Sequence, residues 1–172
     1  MIIVRVERPA DTVAVRAVND RAFGRGVEGA VVDELRKTCP TSLSLVAEEG
    51  GRIVGHALFS PVRIERDGRV VLEGMGLGPL AVAPERQRRG IGSKLVRAGV
   101  DALSRRGCPF VLVIGYASYY PRFGFERAAA RGLTPQWQGI PDEAFMVLVL
   151  DERAMAEASG VASYRSEFDR AV

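Results

Sequence analysis

Apolar and polar residues alternate across IIVRVE (residues 2–7), the two-residue period of a half-buried strand, and the alternation stops at Pro9. Pro9 and Asp11 open a helical stretch that runs to about Phe23, with Val13, Ala17 and Val18 as its apolar face. A second helix follows in EGAVVDELRKTC, with Val31 and Leu35 inward and Val32 beside them. The period then changes. SLSLVAEE and RIVGHALFSPVRIER read as strands separated by Gly50 and Gly51, and Asp67-Gly68 is a hairpin signal leading into a long apolar strand over residues 70–82.

Beyond ERQRRGIG, a helix places Ile91, Leu95, Ala98, Ala102 and Leu103 on one face and ends near Gly107. PFVLVIGY and EAFMVLVL are continuous apolar runs, as expected of strands covered on both faces, and SYYPRFGF between them reads as a short helix stopped at Gly124. The residues from Asp151 onward mix both periods and carry only a weak assignment. The order is strand, two helices, three strands, helix, strand, helix and strand, an α+β or mixed α/β layout around one central sheet. No repeat or linker interrupts it. The expectation is a single domain over residues 1–172, with its core over residues 1–150 and a C-terminal segment over residues 151–172.

Composition changes this picture little. With 47% hydrophobic and 26% charged residues the chain is ordinary for a globular protein. Its 24 basic and 21 acidic residues are interspersed, and a net charge of +3 is too mild to point to nucleic acid. Cys39 and Cys108 each precede a proline without a C-x-x-C spacing, so they read as reduced thiols rather than a disulfide. MIIVRVERPAD sets charge inside its apolar run, unlike a secretory signal, and no apolar run reaches the length of a membrane span. The expectation is a cytoplasmic protein with neither a nucleic-acid nor a membrane partner.

Two stretches carry the chemistry. Gly74, Gly76 and Gly78 occupy alternate positions of the fourth strand and are followed by Pro79. Such glycines mark either a close approach by a backbone or ligand, or a strand bent to fit its neighbours. Pro79 removes a ladder donor, which suits a strand parting from its neighbour there. Next comes a basic glycine turn at a helix start, where unpaired amides and the positive end of the helix dipole favour phosphate. The P-loop spacing is absent, and a dinucleotide fingerprint fails because its third glycine position is Leu95. The pattern Q-x-x-G-x-G is met by Gln87, Gly90 and Gly92.

In its setting LAVAPERQRRGIGSKLV, that pattern resembles the strand–loop–helix unit with which the GCN5-related N-acetyltransferase (GNAT) family binds acetyl-coenzyme A. YYPRFGF (residues 119–125) resembles the family's tyrosine segment, and the two stretches together are similar to its YhbS-like branch over most of the chain. The resemblance implies a mostly antiparallel, twisted sheet with a splayed strand pair, flanked by helices. It implies that the backbone of Leu80, Ala81 and Val82 pairs with the pantetheine arm, and that Gln87, Arg88, Arg89, Gly90, Ile91, Gly92 and Ser93 hold the pyrophosphate. Tyr120 falls on the tyrosine that protonates the departing thiolate. The implied activity is acetyl transfer from acetyl-CoA to a primary amine by direct attack in a ternary complex, without a metal. The motifs do not specify the amine, and relatives often form homodimers.

Several alternatives stand beside this reading. A Tyr-Tyr-Pro-x-Phe cluster is commonly a core turn. The positions where many relatives carry a carboxylate base are Gly78 and Pro79, which leaves Glu73 as the nearest acid, equally readable as a solvated strand residue. His56 reads as a satisfied interior residue. Glu28 and Asp33 line the acceptor entrance by analogy or are helix-surface charges, and Trp137 either shapes an acceptor pocket or anchors a loop. The missing carboxylate motivates a second hypothesis, a coenzyme-A-binding sensor or scaffold with little turnover. A weaker third is an RNA contact by the basic turn.

Overall fold

The alternating N-terminal run forms β1 (Ile2–Val6), antiparallel to β2 (Leu43–Glu49), with Ile2 opposite Glu49 and Val6 opposite Leu45. β2 pairs antiparallel with β3 (Arg52–Arg66) through a bulge at Ala47/Glu48. The computed structural model describes residues 1–172 and falls into two compact units. One comprises Met1–Ser60, Gly78–Val100 and Glu167–Val172; the other comprises Pro61–Leu77 and Asp101–Ser166. β3 and β4 (Arg69–Val82) each contribute residues to both.

In the first unit, α1 (Thr12–Phe23) and α2 (Val27–Thr38) pack on the sheet face made by alternate residues of β3. Their cluster of Val15, Val31, Val32, Leu35, Cys39, Val46 and Leu58 is buried, with Phe168 and Ala171 against it. α2 turns the expected residues inward. α1 does so only in part: Val18 is buried as expected, with Val15 and Asn19 beside it, whereas Val13 is 82% exposed and Ala17 is exposed. The buried face follows the spacing i, i+3, i+4 from Val15 and includes a polar side chain, Asn19. The other face of the unit's sheet receives α3 (Ile91–Arg105), where Gly55 leaves room for Ile91 and Leu95.

The second unit continues β3 and β4 through the Asp67-Gly68 turn, whose φ values of 53° and 72° are those expected of the hairpin signal. β5 (Phe110–Ile114) lies parallel to β4, Met75 to Leu77 opposite Val111 to Val113, and antiparallel to β8 (Phe145–Val149). β6 (Glu126–Arg127) edges β8. The tyrosine segment is a 3₁₀ turn, Tyr120–Phe123, closed by Gly124 at φ 94°. The weakly assigned tail contains α4 (Glu152–Met155) and β9 (Gly160–Ser163). β9 pairs antiparallel with β3 and parallel with β7 (Leu133–Pro135). The core is built from Val62, Ile64, Phe110, Leu112, Leu133, Phe145, Val147, Met155 and Ala162. The architecture is thus mixed α/β with a mostly antiparallel sheet, and no helix is long and apolar enough to cross a membrane.

Candidate functional site

The three glycines of β4 have different reasons. A methyl on Gly74 would lie 2.6 Å from the Phe110 ring, and one on Gly76 2.7 Å from the ring of Tyr164 and 2.8 Å from Val62. These two admit neighbouring side chains, the second of the alternatives read from sequence. At Gly78 a methyl would meet nothing within 4 Å. The register with β5 also ends at Leu77, one residue earlier, although β4 runs on to Val82. Beyond Pro79, Ala81 is buried while Leu80 and Val82 are half-buried.

The turn that follows is braced at several points. Pro84–Arg86 is a 3₁₀ turn. Within it Glu85 accepts from Arg21 of α1 at 2.7 Å, and Arg86 donates to Glu49 of β2 at 2.6 Å. The Gln87 amide donates to Val82 O at 3.1 Å, so this side chain folds back onto the strand end and steadies the loop. Arg88 and Gly90 both have left-handed φ, 61° and 78°, and these two positions turn the chain into α3. Lys94 N donates to Gly90 O at 3.0 Å and starts the helical ladder, so the amides of Ile91 and Gly92 precede it. Ser93 lies half-buried in the same first turn. Arg88 and Arg89 are exposed and make no ion pair. A loop of this form presents backbone donors and two uncommitted cations at the positive end of a 15-residue helix.

Tyr120 belongs to the second unit, and its side chain is enclosed there by aromatic neighbours, the nearest being Tyr119 and Phe125 with ring centroids 5.1 and 5.6 Å away. The residue is 7% exposed. Burial, and after it the neighbouring Tyr119, pushes its ionisation above the ordinary tyrosine range, so the hydroxyl keeps its proton throughout neutral pH.

The other candidates take structural places. Glu73 is 63% exposed and pairs across the strands with Arg63 at 3.1 Å, so it is a solvated strand residue. Glu28 is gripped by Arg25 through two nitrogens, and Asp33 bridges Arg16 and Arg36. Trp137 packs against Tyr164 with ring centroids 5.0 Å apart and the planes tilted by 38°, which anchors its loop. Cys39 and Cys108 are free thiols, and no group of three or more potential metal ligands exists.

His56 is fully buried, and burial lowers its pKa to about 3. Asn19 Nδ2 donates to Val15 O at 2.9 Å and lies 3.0 Å from His56 Nδ1, so Nδ1 accepts and the ring proton sits on Nε2. That proton goes to Ser44 Oγ at 2.9 Å, and the Ser44 hydroxyl donates in turn to Glu7. The chain of donors runs toward the carboxylate. It is the reverse of a nucleophilic serine–histidine pair, in which the imidazole takes the serine proton.

Sequence reasoning missed the braces of the turn, because Arg21–Glu85 and Arg86–Glu49 join residues 64 and 37 positions apart. No local spacing announces such pairs.

The comparisons agree with this geometry. The family model for the acetyltransferase (GNAT) domain matches residues 4–128. The chain is 34% identical to an uncharacterised N-acetyltransferase of Escherichia coli, YhbS, over 98% of this chain and 99% of that one. The crystal structure of YhbS in complex with CoA superposes with a TM-score of 0.90, covering 98% of this chain and 92% of that one. A GNAT family acetyltransferase from Brucella melitensis in complex with acetyl-CoA, 35% identical, matches with a TM-score of 0.80 over 98% of this chain and 99% of that one. Nothing among these relatives favours a sensor without turnover. The protein belongs to the GNAT family of acetyltransferases.

Proposed function

We propose that this protein moves the acetyl group of acetyl-CoA onto a primary amine by direct attack in a ternary complex. The observation that carries the reading is the turn at residues 87–93. Its left-handed Gly90 opens α3 at the end of the braced loop that follows a strand whose pairing with β5 has already ended. CoA and acetyl-CoA in two relatives about one-third identical to this chain support it.

In this reading the backbone of Leu80, Ala81 and Val82 accepts the pantetheine arm as an added strand. The amides of Gly90, Ile91, Gly92 and Ser93 cradle the pyrophosphate, Arg88 and Arg89 add charge, and Gln87 braces the loop. Tyr120 is the general acid. The neutral amine attacks the thioester carbonyl, the carbon–sulfur bond breaks, and the electron pair leaves on sulfur. The Tyr120 proton neutralises that thiolate, a contribution of about 10²–10⁴ in rate. A thiol with a pKa near 8.5 is a stronger acid than a tyrosine raised above 10, so Tyr120 acts by hydrogen-bonding to the developing thiolate. As its proton passes to sulfur, the proton shed by the acetylated nitrogen returns to the tyrosine oxygen, leaving amide, free thiol and neutral Tyr120. No cysteine is required as an acyl carrier. The free thiols Cys39 and Cys108 suit a reducing, cytoplasmic setting, and a homodimer fits the family pattern.

The test is release of free CoA from acetyl-CoA with a panel comprising spermidine, an aminoglycoside, lysine and an alanine-terminated peptide. Amine-dependent release with at least one acceptor supports the reading. Tight acetyl-CoA binding with no amine raising release above background defeats it.

A further inference from the structure

We propose that Gly115 is a positioning residue: its lack of a side chain sets where the Tyr120 ring lies, and therefore where the hydroxyl points. The proposal rests on the reading of Tyr120 as the general acid. A methyl group built on Gly115 would stand 2.4 Å from Tyr120 Cε2, 3.2 Å from Cδ2 and 3.4 Å from Cζ. Carbon atoms in contact prefer about 3.5–4.0 Å, so something must move by roughly 1 Å.

The glycine cannot easily retreat. Its N–H donates to Ala144 O at 2.9 Å, and the preceding Ile114 is registered opposite Phe145. The backbone at Gly115 is therefore an extension of the β5–β8 ladder. The ring has few escapes of its own. Tyr119 lies edge-on at 5.1 Å with an interplanar angle of 86°, Phe125 at 5.6 Å and 67°, and Phe123 is tilted at 6.4 Å. Three aromatic rings, two of them edge-on, and one bare backbone segment confine the ring. With these rings limiting rotation about its own axis, the Tyr120 ring relieves the contact by translating or tilting, and either motion carries its hydroxyl with it.

Backbone conformation does not explain the glycine. Gly115 is absent from the residues with positive φ, unlike Gly124 at φ 94°, so alanine is free of backbone strain there. Space for the Tyr120 ring is what the missing side chain provides. The substitution Gly115→Ala thus perturbs the acid without changing its chemistry, and misplacement of a reacting group by about 1 Å can cost on the order of 10²-fold in rate.

The experiment compares wild type, Gly115→Ala, Tyr120→Phe and the double variant, using the amine of highest turnover in the panel. Gly115→Ala is expected to lower kcat by about 10-fold or more, with the calorimetric Kd for acetyl-CoA within about 2-fold of wild type. The double variant should be no slower than Tyr120→Phe alone, because both changes remove the same function. An unchanged kcat in Gly115→Ala, or losses that multiply in the double variant, overturns the proposal. If Tyr120→Phe itself keeps full turnover, the general-acid reading fails first and carries the proposal with it. A melting-temperature arm covers a poorly folding variant: the loss caused by Gly115→Ala should vanish in a Tyr120→Ala background, where no ring meets the methyl. Persistence of that loss also overturns it.

Discussion

Arg86 Nε stands 2.6 Å from a Glu49 carboxylate oxygen, which ties the turn before Gly90 to the end of β2. Both side chains are about one-third exposed, at 36% and 33%, so solvent screens the pair and its worth is about 0.5 kcal/mol. Glu49→Gln is expected to raise KM for acetyl-CoA about 2-fold and leave kcat unchanged, since only the loop's placement is affected. Steady-state kinetics at low and high salt check this. The difference from wild type should shrink as salt rises, and the reversed pair Glu49→Arg/Arg86→Glu should recover most of the affinity.

Gly90 at φ 78° is a position where a Cβ costs about 1–2 kcal/mol. Gly90→Ala is expected to weaken acetyl-CoA binding by about 5-fold or more, through the altered direction of the first α3 amides. Calorimetric titration with acetyl-CoA provides the measurement. A Kd equal to wild type would remove this turn from the coenzyme site.

Much of this was legible in the sequence, and the residues show where legibility ends. β5 and β8 were visible as unbroken apolar runs because both faces of each are covered, and Asp67-Gly68 declared its turn chemistry locally. The Gly90 turn is ambiguous by its spacing alone, and the resemblance rests on its setting between the glycine-bearing strand and the tyrosine segment. What lay hidden depends on partners distant in the chain. Gly76 has its reason in Tyr164, and β9 is a four-residue strand whose pairing with β3 no local period reveals. In α1 the inward face includes Asn19, a polar residue that a hydrophobic pattern assigns to water until His56 is known to stand beside it.

That histidine makes a pH prediction. Burial, and secondarily the Arg36 charge, lowers the folded-state pKa of His56 from 6.5 to about 3. Below pH 6.5 the unfolded chain therefore binds a proton that the folded chain refuses. The stabilisation is complete above pH 6.5 and is lost as pH falls toward 3, by roughly 2 kcal/mol between pH 7 and pH 5. Asp11, held down to about 2 chiefly by its hydrogen bonds from Arg5, gives up its own contribution only at more acid pH, below its ordinary value of 3.8. Urea unfolding midpoints at pH 7 and pH 5 should fall for wild type and stay nearly level for His56→Gln. Equal slopes for both proteins would contradict the buried, neutral imidazole.

The three strand glycines, finally, should respond differently to the same substitution. At Gly74 and Gly76 a methyl group meets Phe110 and Tyr164 well inside contact distance, and overpacking of this kind costs about 1–3 kcal/mol. Gly74→Ala and Gly76→Ala are expected to lower the melting temperature by several degrees, with activity per folded molecule changed little. Gly78 faces open space and lacks a positive φ, so Gly78→Ala should melt with wild type. Yet Gly78 is the first residue of β4 beyond the β5 register, directly before Pro79 and the strand segment proposed to pair with pantetheine. Gly78→Leu, which fills that space further, is therefore expected to raise KM for acetyl-CoA with little change in stability. Melting curves and kinetics on the four variants separate the two classes. A Gly78→Leu enzyme with wild-type KM would show that the open space beside this strand is not the coenzyme's path.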